Sequence, residues 1–174
     1  PARADLLALR SEIDWAIAAM QKMLQLTGTL KYPDLHVAHE LFALRHDNEY
    51  PFNTGRFAST SGVDVAIRDY ESVLAEHHVP HSTALHSKLL NSELPVYLGP
   101  AARLALNHAQ LTPLAREAMQ TYGLASVLRN PFRNIQLRCV EVLFAFEEAA
   151  RIIDAYQPAD RPYVDVEPRA GTGY

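Results

Sequence analysis

The chain has 174 residues, 48 % of them hydrophobic, with 16 Lys or Arg against 20 Asp or Glu, a composition that suits one globular domain with a sizeable core. A net charge of −4 with no basic block argues against nucleic acid as a partner. No apolar run approaches the roughly 20 residues that span a bilayer, and no signal peptide is visible, so no membrane span is expected and a cytoplasmic location is.

The first element predicted is one amphipathic helix over residues 3–26, because Leu6, Leu9, Ile13, Ile17, Met20 and Leu24 recur at three- and four-residue steps. Thr27-Gly28 supplies its stop, and Trp15, off that stripe, is expected on a second packing face. "HVAHELFALR" (36–45) fits a buried strand or a short helix. The turn signals "HDNEYP", "NTG" and "STSG" close behind it favour a strand in a small antiparallel meander. Residues 64–78 read as a helix carrying Val65, Ile67, Tyr70, Val73 and Leu74, capped by Asp64 and ended near His78 by Pro80.

A short helix is expected over 100–107. A second follows with Thr112 as N-cap, Pro113 at the first helical position and Gly123 past its end. Asn130 and Pro131 open a long helix that runs to about Tyr156 and is stopped by Pro158. Residues 137–146 are apolar nearly all round, as in a helix buried among neighbours. The elements together predict an α+β fold, predominantly helical, with long buried helices and a small antiparallel β meander, in a single domain over residues 1–174.

Three groups of side chains could carry chemistry. Four of the eight histidines, His77, His78, His81 and His86, fall within ten positions. His77 and His81 have the four-residue spacing of helical metal ligands, but Pro80 interrupts the helix between them and no carboxylate lies among residues 77–86. A polar turn is the better reading. Cys139, the only cysteine, excludes an internal disulfide and any all-thiolate site built from this chain alone. Set among Leu137, Val140 and Val142, it reads as an inert buried thiol. Arg129, Arg133 and Arg138 crowd the start of the long helix, against its dipole, and Arg138 is expected to pair with Glu141. No dinucleotide or phosphate loop, nucleophile elbow or paired-cysteine motif is present.

"EHHVPHSTALHS" (76–87), "YLGPAARLALNHAQLTPLAREA" (97–118) and "RNPFRNIQLRCVEVLFAFEEAARIID" (129–154), followed by "PRAGTGY", together resemble the middle of the large (alpha) subunit of a nickel–iron hydrogenase. The similarity is greatest to the cytoplasmic type that couples reversible H₂ oxidation to NAD(P) or a deazaflavin, and "EYPFNTGRFASTSG" (49–62) fits that type as well. The resemblance implies an interior segment of a longer enzyme. Family metal ligands are four cysteines in R-x-C-x-x-C and D-P-C-x-x-C segments, neither of which occurs here, and Cys139 matches neither. Arg169, in "PRAGTG", is not the family arginine that stands over the metal pair. By this resemblance the segment binds no cofactor itself. It acts as scaffold beside the nickel–iron centre of the parent, with iron–sulfur clusters in partner subunits, namely a small subunit and electron-transfer subunits. His81, Ser82 and His86 then belong to loop structure or subunit contact. Two alternatives stand beside it: a metal-free relative such as the quinone-site scaffold of a complex I core subunit, and a free helical interaction domain.

Overall fold

In the computed structural model, which describes residues 1–173, the N-terminal apolar stripe forms two helices, α1 (Arg3–Ala8) and α2 (Arg10–Thr29), with a break at Leu9. α2 runs through the expected stop. Gly28 serves instead as a point of close approach: a Cβ there would meet the Tyr122 ring at 3.2 Å. Leu24 and Thr27 are buried, and Ile17 and Met20 lean on the same core. Trp15, expected to pack, is 73 % exposed: it points outward because the core needs only one stripe of this helix.

Six short strands follow in two sheets. β1 (Glu40–Arg45) pairs antiparallel with β2 (Arg56–Ser59), which pairs antiparallel with β3 (Asp64–Val65). On its other edge β1 pairs parallel with β6 (Val96–Tyr97), with Glu40 opposite Val96. β4 (Leu74–His77) and β5 (His86–Leu89) form a separate hairpin, with His77 opposite His86.

The helix expected over 64–78 is absent. Asp64–Val65 is strand β3, Ile67–Ser72 a 3₁₀ turn and Leu74–His77 strand β4. Arg45 and Arg56 lie directly opposite each other across β1 and β2, a like-charge pair that is unfavourable alone. Asp64 relieves it by accepting from Arg45 Nη2 at 2.6 Å and Arg56 Nε at 2.5 Å. That contact holds Asp64 in the sheet rather than at a helix cap, and β-branched Val63 and Val65 on either side of it fit extended backbone.

The second half is helical: α3 (Pro100–Asn107), α4 (Pro113–Thr121) and α5 (Asn134–Ala155). α3 and α4 each carry proline in the first turn, where no intrahelical N–H is lost. Before α5, Pro131 opens a short 3₁₀ turn instead, and Asn130 Oδ1 accepts from Phe132 N–H at 3.0 Å there. Gly123 follows α4 in the left-handed region at φ +58°, which its missing Cβ makes inexpensive. α2 and α5 pack along their lengths, and Arg10 near the start of α2 reaches Asp154 near the end of α5 at 3.4 Å, so the two run antiparallel. Leu104, Leu111, Leu124, Leu137, Val140 and Leu143 fill the core between α3, α4 and α5.

These elements correct the expectation of a predominantly helical α+β fold. The described residues form a mixed α/β structure, 47 % helix and 13 % strand, with five α-helices and two small sheets. The parallel β1–β6 pair and the conversion of 64–78 to strand and 3₁₀ turn make the difference. No helix of the described residues is long and apolar enough to cross a membrane.

Candidate functional site

Glu141 is the one acidic residue among positions 130–146, and α5 places it where a charge needs an answer from another element. The answer comes from α3 and from the loop after β1. Arg103 Nε donates to Glu141 Oε1 at 2.6 Å and Arg103 Nη2 to Oε2 at 2.7 Å, a bidentate pair. The Tyr50 hydroxyl donates to Oε1 at 2.7 Å. The Glu141 side chain is 8 % exposed and that of Arg103 is 28 %. Phe144 and Phe52 stand 4.9 and 5.4 Å from the Tyr50 ring, and Arg103 Cζ lies 5.8 Å from the Phe52 centroid. Burial first, then the adjacent Glu141 carboxylate, pushes the Tyr50 hydroxyl well above its ordinary range, so it stays a neutral donor. The hydrogen bond to Glu141 raises Arg103 above its ordinary value and keeps it charged.

The neighbouring side chains extend this lock. Asn107, fully buried on α3, donates from Nδ2 to Leu44 O at 2.9 Å and accepts at Oδ1 from His46 N–H at 3.3 Å, which ties α3 to β1. Glu147 on α5 accepts from Leu114 and Ala115 N–H, each at 3.1 Å, and from the Thr112 hydroxyl. Thr112 was the expected cap of α4; a carboxylate from another helix does that work, and Thr112 turns to it. Arg129 donates to His39 O, and Asn130 Nδ2 to Pro33 O at 2.9 Å. His39 is buried and stacks on Tyr97 at 4.7 Å; burial, then Arg129, lowers its pKa below the usual imidazole value.

Arg138 does not reach Glu141. It is exposed and in no ion pair among the described residues, because Glu141 is turned inward to Arg103, 38 positions away. Sequence spacing could not find that partner. A lone acid in an otherwise apolar helix was the available signal that a distant cation was needed. His81 and His86 do come together, with ring centroids 5.4 Å apart, on the exposed β4–β5 hairpin. Ser82 Oγ accepts from Ala84 N–H at 3.1 Å and shapes the connecting loop.

Chemically, the lock is saturated: both Glu141 oxygens are engaged and the tyrosine is held protonated. Cys139 is buried and its thiol is pushed up by that burial, away from the thiolate that nucleophilic or metal chemistry requires. Among the described residues no group of three or more His, Cys, Asp or Glu is placed to hold a metal ion. A four-thiolate nickel–iron site therefore does not fit the residues present. No protein-family model matches the chain, and no curated protein matches it.

Proposed function

We propose that the chain is an interior scaffold segment of the large subunit of a cytoplasmic nickel–iron hydrogenase, coupling H₂ to NAD(P) or a deazaflavin, and that it carries no catalytic group itself. One observation carries this reading. Arg103 and Glu141 come from "GPAAR" and "RCVE", in two of the three strings that carry the resemblance, Tyr50 comes from the "EYPF" stretch that fits the cytoplasmic type, and they meet in a single buried contact. Strings far apart in the chain gain a shared physical reason: each supplies one member of a charge network that fails if any is lost. Asn107 and Glu147, from the same stretches, hold the surrounding elements in place.

In this reading the thiolate ligands and the iron–sulfur clusters belong to other segments and subunits of the parent. The exposed hairpin with His81, Ser82 and His86 meets a neighbouring subunit, and exposed apolar residues such as Trp15 and Leu26 on α2 and Leu30 just after it face parts of the assembly. The test is hydrogen-dependent reduction of a viologen dye by the intact parent purified with its partner subunits. Dye reduction is expected. A parent reading frame without paired-cysteine segments, or an assembled complex without hydrogen-dependent dye reduction, overturns the proposal.

A further inference from the structure

Between α3, α4 and the turn after Gly123 lies a cavity of about 670 Å³ that the lock does not use. Its walls are mainly apolar: Ala105, Ala109 and Leu128 offer surface to it, and Leu104, Leu111 and Met119 are buried behind them. The volume is within the roughly 300–1,000 Å³ common for small-ligand sites. Among the described residues, Arg116 and His108 are the lining residues that can carry charge and no aspartate or glutamate lines it, although the chain as a whole is acidic.

Arg116 is held in place here. Its Nη2 donates to Ala109 O at 3.0 Å and to Leu111 O at 2.8 Å, which fixes the guanidinium at the cavity. Both acceptors are neutral carbonyls, and among the described residues no carboxylate pairs with Arg116. A positive charge positioned and left unneutralised beside an apolar hollow complements a molecule with an apolar body and one anionic end.

We infer that this cavity binds a medium-chain apolar carboxylate, its carboxylate on Arg116 and its chain against Ala105, Ala109 and Leu128, with Met119 just behind them. The inference does not depend on the hydrogenase reading. Decanoate, below its micelle concentration, is the probe, with decanol as the neutral body of the same length. The readout is the methyl spectrum of the chain labelled at its methionines. Met119 lines the cavity, whereas Met23 on α2 is exposed and is not among the lining residues.

Decanoate is expected to shift the Met119 methyl saturably and leave Met23 in place, with decanol at least about tenfold weaker, the worth of one charge-assisted contact. Arg116→Met is expected to bring decanoate down to the level of decanol, and Ala105→Trp to abolish both by filling the space. Equal binding of decanoate and decanol to the unaltered chain, equal shifts at Met119 and Met23, or no saturable shift overturns the inference. The decanoate–decanol comparison decides even if Arg116→Met does not fold.

Discussion

Replacing Glu141 by alanine strips Arg103 of its only ion-pair partner among the described residues and Tyr50 of its acceptor. The expected loss of stability is about 3 kcal/mol, at the low end for breaking a buried pair, because the Arg103 side chain keeps 28 % exposure. Arg138→Ala, three positions earlier on the same helix, should change stability by no more than about 0.5 kcal/mol, as an exposed and unpaired side chain does. Urea unfolding of both variants measures the contrast; similar losses would show that the lock is not where the stability lies. His39 bears on pH. Its folded-state pKa is lowered, so below about pH 6.5, the ordinary imidazole value, the unfolded chain binds the proton more readily. Its contribution is therefore full above that pH and is lost as pH falls through the depressed folded value. His39→Phe, which can keep the stack on Tyr97, should flatten the fall in melting temperature between about pH 7 and 5. An unchanged slope would rule His39 out as its source.

At the scale of elements, α4 depends on a residue outside itself. Glu147→Ala removes the acceptor for Leu114 and Ala115 N–H and for the Thr112 hydroxyl. A cost of about 1–2 kcal/mol is expected, as for loss of an N-cap. Amide hydrogen exchange should quicken at Leu114 and Ala115 and leave α3 unchanged; uniform quickening would mean that Glu147 supports the core rather than the cap. The starts of α3 and α4 were legible because a first-turn proline acts locally, whereas α5 begins at Asn134, one 3₁₀ turn after the expected Asn130–Pro131 start. The stretch 64–78 was misread for the opposite reason. Its apolar spacing satisfies a helix, while what decides the matter is Asp64 meeting Arg45 and Arg56 from two other strands. The parallel pairing of β1 with β6, joined across more than 50 residues, has no local signal at all.

For the whole molecule, two of the three strings identified from sequence meet the "EYPF" stretch in a contact that none of them predicts alone, while "EHHVPHSTALHS" lies apart in the β4–β5 hairpin. Glu141 was singled out with the wrong partner, because helical spacing offers Arg138 and only the packing of α3 on α5 offers Arg103. The His81–His86 pair and the outward Trp15 were likewise invisible until the hairpin and α2 took their places. In the proposed reading such a segment would contribute rigidity and contact surface and leave the metal to the thiolates of a parent subunit. Nickel content settles whether that division is real. It is to be measured by elemental mass spectrometry on the intact parent purified with its partners, and in parallel on the 174-residue chain alone. Stoichiometric nickel in the parent and none on the isolated chain is expected; a nickel-free parent, or a chain that binds nickel stoichiometrically by itself, would contradict it.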